Sequence, residues 1–147
     1  MKKNEIYTIG YEGKQIEEFI FFLKKFNITR LIDIREVPIS RKKGFSKIAL
    51  KNQLNSANIE YVHIKSLGSP GYLRDKLKSD RDYDYFFKTY SEYLAKNSNA
   101  IKELLQYTDK GTNCLMCFEK NYEKCHRSVV INAFQKYSAT QITIQHI

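Results

Sequence analysis

Long apolar runs are absent from this sequence of 147 residues, and no segment approaches the ~20 residues that a membrane-spanning helix needs. The basic start, MKKNEIYTIG, leads directly into a strand-like segment. It lacks both an apolar signal region and a small-residue cleavage site. The sequence therefore predicts a cytoplasmic protein with no membrane partner.

Cysteine is scarce as well, with three residues at positions 114, 117 and 125. A small, odd number of cysteines argues against a disulfide framework, and reduced thiols fit a cytosolic protein. Cys114 and Cys117 have the C-x-x-C spacing of metal and redox sites. They fall within a predicted strand, however, where a spacing of three points side chains to opposite faces. We predict a core position for Cys114, no metal ligand set and no cofactor.

Negative charge is also in short supply, with 16 Asp and Glu against 25 Lys and Arg and a formal net charge of +9. A basic surface attracts phosphate polymers and anionic small molecules, although a lysine-rich composition alone produces the same excess. The predicted partner is an anionic small molecule or a nucleic acid, and the oligomeric state is undetermined. Two loops that follow neighbouring strands carry the candidate cations: Arg41, Lys42, Lys43, Arg74, Lys76 and Lys78.

Short β-rich runs alternate with amphipathic segments along the chain. Strands are predicted at 6–10, 30–34, 61–64, 113–118 and 141–147. Helices are predicted at 15–26, 45–57, 83–96, 99–107 and 126–138. The segment 65–82 has no clear period and is predicted as a long exposed loop. This alternation predicts one α/β domain over residues 1–147, a three-layer sandwich with a mostly parallel sheet of about five strands, Rossmann-like or flavodoxin-like.

The predicted strands end in, or are followed by, residue types that can bind ligands or take part in catalysis. Gly10, Tyr11 and Gly13 come after the first strand, and Asp33 and Arg35 come at the end of the second. His63 ends the third strand, and Cys117, Glu119 and the CHR segment follow the fourth. Parallel α/β sheets bind ligands beyond the carboxyl ends of their strands. The convergence of these groups on one edge of the sheet predicts a site there.

Four blocks of the sequence carry a family resemblance: YTIGYEGKQIEEFI, LIDIREVPISRKKGFS, IEYVHIKSLG and LMCFEKNYEKCHRSVV. In order and spacing they resemble the signature blocks of the domain of unknown function 488 family over essentially the whole chain. The resemblance implies an α/β fold and a site, and the family name announces no settled activity. The chain departs from the family pattern at Tyr11, where a histidine is more often expected.

The resemblance, together with the strand-end positions, supplies the candidate site residues. The predicted catalytic residues are Asp33, Glu119, Cys125 and His126. The predicted substrate-binding residues are Gly10, Tyr11, Arg35, Ser40, Arg41, Gly68, Cys117 and Arg127. Pro38 belongs to the same family pattern.

Cys125 stands at the start of a predicted helix, between Lys124 and His126. A helix N-terminus and neighbouring cations lower the pKa of a thiol, so Cys125 is a candidate nucleophile with His126 or Glu119 as proton carrier. The alternative is a small buried side chain that packs the turn, since apolar burial raises a thiol pKa and leaves it inert.

Arg35, Arg41 and Arg127 suggest an anion pocket, because a guanidinium presents a planar fork that suits phosphate. The alternative is structural ion pairing of Arg35 with Asp33 or of Arg127 with Glu119. His63 is predicted as a satisfied polar residue of a strand, and the stripe Tyr83, Phe87, Tyr90 and Leu94 as core.

The leading functional hypothesis is an enzyme, a hydrolase or transferase, that acts on a phosphate-bearing substrate such as a nucleotide or nucleic acid. The first alternative is a non-catalytic nucleic-acid or nucleotide-binding module that uses the same basic edge. The second is a thiol redox sensor built on Cys117 and Cys125.

Overall fold

A computed structural model describes residues 4–138 and 141–147. Its strands all join one parallel sheet with the order β3-β2-β4-β1-β5. The strands are β1 (Asn4–Gly10), β2 (Arg30–Asp33), β3 (Glu60–His63), β4 (Asn113–Cys117) and β5 (Ile142–His146). The predicted α/β fold with a parallel sheet of about five strands is confirmed.

Six α-helices lie within the described residues. They are α1 (Ile16–Lys25), α2 (Lys47–Ser56), α3 (Gly71–Asp80), α4 (Tyr83–Lys96), α5 (Ser98–Thr108) and α6 (Arg127–Tyr137). Single 3₁₀ turns occur at Lys65–Leu67 and Tyr122–Lys124. Across the described ranges, no helix has both the length and the apolar character needed to cross a membrane.

Helix α3 corrects the prediction of a long loop over 65–82. Leu73 is its one fully buried side chain, so the helix shows little of the apolar periodicity on which the prediction relied. Pro70 precedes the helix, a position where its fixed φ and missing N–H are tolerated. Arg81 ends it in the left-handed conformation, with φ of 56°.

The helices cover both faces of the sheet. On one face Phe19 and Leu23 of α1 and Leu50 and Leu54 of α2 share a core with the strand residue Leu31. The opposite face is covered by α3, α4, α5 and α6, whose buried side chains include Leu73, Tyr90, Leu104 and Phe134. The result is the predicted three-layer sandwich.

Alternation along β4 divides its side chains between the two cores. Cys114 and Met116 pack on the α1 side, whereas Leu115 and Cys117 pack on the α6 side. The prediction that Cys114 and Cys117 point to opposite faces is confirmed, and Cys114 is a fully buried core residue.

The strand order differs from the usual Rossmann (3-2-1-4-5-6) and flavodoxin (2-1-3-4-5) orders. The likeness to those folds therefore lies in the layers and not in the topology. Strand β4 lies between β1 and β2, and the chain leaves β1 and β2 towards α1 and α2 but leaves β4 towards α6. Because neighbouring strands lead to helices on opposite faces, their following loops diverge and open a crevice at the carboxyl edge.

Candidate functional site

A cavity of about 480 Å³ occupies the crevice at the carboxyl edge of the sheet. The loops after β1, β2 and β4 contribute to its wall, and helices α3 and α4 complete it. Its lining residues are Tyr11, Arg35, Glu36, Val37, Ile39, Ser69, Arg74, Leu77, Lys78, Phe86, Phe118, Glu119, Lys124 and His126.

The cationic side chains that line this cavity differ in whether they have an ion-pair partner. Arg74 bonds the Glu36 carboxylate at 3.1 Å and also donates to the carbonyl oxygen of Ser69. Lys78 lies four residues further along α3 and therefore on the same helix face as Arg74. In the described part of the chain, neither Lys78 nor Lys124 has an ion-pair partner. These two lysines give the cavity its uncompensated positive charge.

Asp33 and Arg35 form a buried structural pair, of which Arg35 lines the cavity and Asp33 lies behind it. Arg35 donates from Nε to Oδ1 of Asp33 at 2.9 Å and from Nη2 to Oδ2 at 2.7 Å. The Tyr61 hydroxyl donates to the same Oδ2 at 2.6 Å. The remaining Arg35 nitrogen, Nη1, donates to the Phe45 carbonyl at 2.7 Å and to the Tyr11 hydroxyl at 3.3 Å.

These bonds use most of the hydrogen-bonding capacity of both charged groups. Burial by itself lowers the pKa of Arg35, but the hydrogen bond and the charge of Asp33 outweigh it and raise that pKa. Asp33 is fully buried and is not among the residues that line the cavity. The geometry is that of the structural pair that the sequence left open as an alternative.

The three arginines of the predicted anion pocket do not converge. Arg35 lines the cavity, Arg41 is exposed and Arg127 is buried as the first residue of α6. Arg127 donates from Nη2 to the Lys120 carbonyl at 2.9 Å, whereas its Nε and Nη1 have no partner among the described residues. Its guanidinium thereby fixes the loop after β4.

Glu119 is the carboxyl group best placed in the cavity. It is half-buried at the wall, and within the described ranges its carboxylate has no ion-pair partner. Burial raises the pKa of Glu119, and the nearby charge of Arg127 only partly opposes this effect. The predicted Arg127–Glu119 ion pair is therefore a longer-range electrostatic contact.

His126 is held in one tautomer at the start of α6. Its Nε2 lies 2.8 Å from the Ile34 carbonyl oxygen, which only accepts, so Nε2 carries the hydrogen. The other nitrogen, Nδ1, is left with a free lone pair and lies 3.7 Å from Sγ of Cys125. Burial lowers the pKa of His126 to about 4, which keeps the ring neutral near pH 7.

Cys117 and Cys125 bring their sulfur atoms to bonding distance between the end of β4 and the start of α6, where the sequence predicted reduced thiols. Both residues are buried, and neither is among the residues that line the cavity. Their Cα atoms are 7.5 Å apart. With a carboxylate oxygen of Glu119, the two sulfurs form a group of potential metal donors that all lie within 4.8 Å of one another.

Several predicted binding residues shape the loops around the cavity. A Cβ atom at Gly10 would collide with the backbone of Glu119, and one at Gly68 would collide with the backbone of Glu36. The Ser40 hydroxyl accepts from the backbone N–H of Lys42 at 3.1 Å. These residues position cavity-lining segments, and their predicted contact with substrate stays a prediction.

Some cavity residues were absent from the predicted site. Lys124 and Phe118 belong to the same loop as Glu119, and Glu36 directly follows Arg35, so nearness to predicted residues was the available signal. Arg74 and Lys78 were predicted only as surface cations, because helix α3 was not expected. Their spacing of four, with Leu73 and Leu77 beside them, was the signal for that helix.

The fold and this cavity define an α/β protein with a polar cavity at the topological switch point of a parallel sheet. A family model described as domain of unknown function DUF488 matches residues 15–134, and the chain belongs to that family. The resemblance drawn from the four sequence blocks is thereby confirmed. Comparisons with curated proteins and with solved structures give no match.

Proposed function

We propose that this protein is an enzyme that acts on a phosphate-bearing substrate, a nucleotide or a nucleic acid, bound in the cavity at the carboxyl edge of the sheet. The observation that carries this proposal is that two lysines without ion-pair partners among the described residues, Lys78 and Lys124, line the same cavity as the carboxyl group of Glu119. Positive charge in a concave, partly apolar site concentrates anionic ligands.

The size and the apolar wall of the cavity support a substrate larger than phosphate alone. A volume of about 480 Å³ lies within the range of roughly 300–1,000 Å³ that is typical of small-molecule sites. Phe118 is 46% exposed and offers a ring face on which a nucleobase can stack. Val37 and Ile39 add exposed apolar surface beside it.

Glu119 is the group that we expect to take part in the reaction. Burial raises its pKa, so this carboxyl group holds a proton more readily than a free glutamate, a property that suits proton transfer to or from a bound substrate. Asp33 is a weaker candidate, because its carboxylate is saturated by Arg35 and Tyr61. The nucleophilic role of Cys125 stays a prediction, since its sulfur faces Cys117.

Two alternatives keep specific support. A non-catalytic binding module would use Lys78 and Lys124 in the same way but would release no product. A thiol redox sensor is favoured by the contact between the sulfur atoms of Cys117 and Cys125.

Binding is tested with a panel of nucleotides and short oligonucleotides, by isothermal titration at low salt. Replacing Lys78 and Lys124 together with glutamine should weaken binding at least about tenfold, since each lost charge–phosphate contact contributes on the order of 1 kcal/mol. The matched control replaces Lys47 and Lys51, which are exposed on α2 and away from the cavity. Equal losses in both double variants would contradict the cavity as the binding site.

Turnover separates the enzyme from the binding module. Product formation from the same panel is followed by chromatography for the wild type and for Glu119→Gln. The proposal expects that Glu119→Gln removes most turnover and keeps binding within a few-fold. Tight binding with no turnover of any panel member by the wild type would favour the non-catalytic alternative.

A further inference from the structure

We propose that Cys117, Glu119 and Cys125 bind a divalent transition-metal ion of the zinc type at the base of the cavity. The donor atoms come from three consecutive units: the end of β4, the loop that follows it and the residue after the 3₁₀ turn Tyr122–Lys124, two positions before α6. Within the described ranges, these two sulfurs and the carboxylate oxygen form a group that lies within 4.8 Å.

The backbone separation of the two cysteines favours a bridging ion over a direct bond. Their Cα atoms are 7.5 Å apart, beyond the roughly 4.4–6.8 Å that disulfides usually span. Two zinc–sulfur bonds of about 2.3 Å at a tetrahedral angle separate the sulfurs by roughly 3.8 Å. The Cα spacing of 7.5 Å leaves room for an ion between the sulfurs once the two side chains, which touch in the structure, turn apart.

The donor set selects a class of metal. Two thiolates and one carboxylate suit zinc and similar borderline-soft ions, whereas magnesium and calcium prefer oxygen ligands alone. Three protein ligands leave one tetrahedral position open, as is usual in catalytic zinc sites. Because Glu119 lines the cavity, an ion that it binds lies at the cavity wall, and Glu119 then acts as a ligand instead of a proton donor.

Groups around the donors are arranged as they are around metal-bound cysteines. The backbone N–H of Arg127, at the start of α6, donates to Sγ of Cys125 at 3.4 Å and thereby favours the thiolate. His126 Nε2 donates to the Ile34 carbonyl, and its lone pair at Nδ1 faces Cys125. A backbone partner on the far nitrogen fixes the orientation of the ring, so His126 is held beside the three donors without being one of them.

The charge around the donors also fits a cation. Cys117 and Cys125 are buried, and two adjacent buried thiolates require positive charge to offset the cost of removing them from water. A divalent ion supplies it directly. The buried guanidinium of Arg127 offsets part of the charge of Glu119, so the ion binds against the repulsion of this neighbouring cation.

The test measures metal binding on the whole chain, without an affinity tag and with a reductant present throughout. The chain is stripped with a chelator and titrated with Zn²⁺ against a chromophoric competitor, and bound metal is counted by mass spectrometry. We expect one ion per chain. We also expect at least about a hundredfold loss of affinity in Cys117→Ser and in Cys125→Ser, and a loss of about tenfold or more in Glu119→Gln.

Cys114→Ala is the matched control, because Cys114 lies on the same strand but points to the opposite core. It should keep wild-type affinity. Substitution of Co²⁺ into the wild type should give thiolate-to-cobalt charge-transfer absorption, a result that needs no variant and stands even where a variant fails to fold. Absence of stoichiometric binding and of this absorption, or a Cys117–Cys125 disulfide that persists in reductant, would overturn the inference.

The metal site is placed beside the proposed substrate cavity, and in this respect the inference rests on the proposed function. Separate experiments can still disprove the metal site and the proposed function independently. Metal is counted on the chain without nucleotide, and nucleotide binding is measured through Lys78 and Lys124. Metal binding without nucleotide binding would remove the proposed function and keep the metal site. Nucleotide binding by a chain that takes up no metal would overturn the metal site and keep the proposed function.

Discussion

Arg35 holds the carboxylate of Asp33 with two nearly parallel hydrogen bonds, of 2.9 and 2.7 Å, at a place where both side chains are almost completely buried. A pair of this geometry satisfies both charges, but neither charge tolerates the loss of the other. Asp33 is the last residue of β2, and Arg35, two residues later, lines the cavity. Their pairing stabilises the edge of the sheet on which the candidate site is built.

Asp33→Asn should therefore destabilise the protein strongly. Removing one member of a buried ion pair leaves the other charge uncompensated and typically costs about 3–5 kcal/mol. The matched control is Glu60→Gln, which breaks the ion pair between Arg30 and the exposed carboxylate of Glu60. That change should cost at most about 1 kcal/mol. Urea unfolding followed by circular dichroism measures both values, and similar losses would mean that the buried pair contributes little.

Tyr61 should make stability depend on alkaline pH. Burial raises the pKa of Tyr61, and the charge of Asp33 and the hydrogen bond to it raise that pKa further. The folded pKa is then higher than the unfolded value of about 10. The contribution of Tyr61 to the free energy of unfolding is complete below pH ~10. It is lost as pH rises towards the folded pKa, because Tyr61 loses its proton in the unfolded chain first.

The measurement is the free energy of unfolding at several pH values between about 8.5 and 11. Tyr61→Phe should flatten the decline seen in the wild type, although it loses the hydrogen bond to Asp33 at every pH. Tyr72→Phe, at a residue that is 65% exposed, serves as the control and should keep the wild-type decline. An unchanged slope in Tyr61→Phe would show that Tyr61 titrates normally in the folded protein.

Substitution of alanine at either of two glycines should destabilise the protein, because each glycine packs directly against the backbone of another segment. A Cβ atom at Gly10 or at Gly68 would overlap the backbone of Glu119 or of Glu36. Since backbone cannot swing away as a side-chain end can, each change should cost roughly 2 kcal/mol or more. Gly10→Ala should also displace Glu119 and so weaken metal binding.

Gly71→Ala is the control for these substitutions. The added Cβ would meet Arg74 and Glu36 only at 3.5 and 3.6 Å, which is ordinary van der Waals contact. Alanine also favours the helix that begins there, so stability should stay the same or rise by up to about 1 kcal/mol. Thermal unfolding compares the three variants, and equal stability of all three would contradict the packing argument.

Local sequence patterns predicted the sheet and five of the six described helices, because each of those segments has its own apolar signature. β2 is a short apolar run, and α1 buries Ile16, Phe19 and Leu23 at helical spacing. The strands meet at their carboxyl ends in any parallel sheet, so the location of the site followed from the strand predictions. Helix α3 was missed because it buries little more than Leu73.

The partners of each side chain could not be predicted in the same way. Asp33 and Arg35 are two residues apart on a strand, which allowed either a structural pair or an anion site. Tyr61 and Phe45 decide between these two interpretations. They come from distant segments of the chain and form the remaining hydrogen bonds of the Asp33–Arg35 pair. The approach of Cys117 to Cys125 likewise depends on how the loop after β4 folds back, which no local period encodes.

The last prediction concerns what the positive charge binds. Lys78 and Lys124 line the cavity, whereas Arg41 and Lys43 are exposed outside it and Lys42 donates to the Tyr11 carbonyl at 3.3 Å. If the substrate is a polymer that extends beyond the cavity, both groups contact phosphates and release counterions. The logarithm of affinity for a single-stranded oligonucleotide should then fall steeply with the logarithm of salt concentration.

Replacing Arg41 and Lys43 together with glutamine should reduce this slope by roughly 0.7 for each lost phosphate contact on a single strand. For a mononucleotide the same double variant should keep wild-type affinity, because a ligand of that size stays within the cavity near Lys78 and Lys124. Fluorescence anisotropy at five or more salt concentrations gives both slopes. Two results together would indicate a small nucleotide as the substrate. The oligonucleotide slope would be unchanged in the Arg41 and Lys43 variant, and nucleotide binding would be lost when Lys78 and Lys124 are replaced.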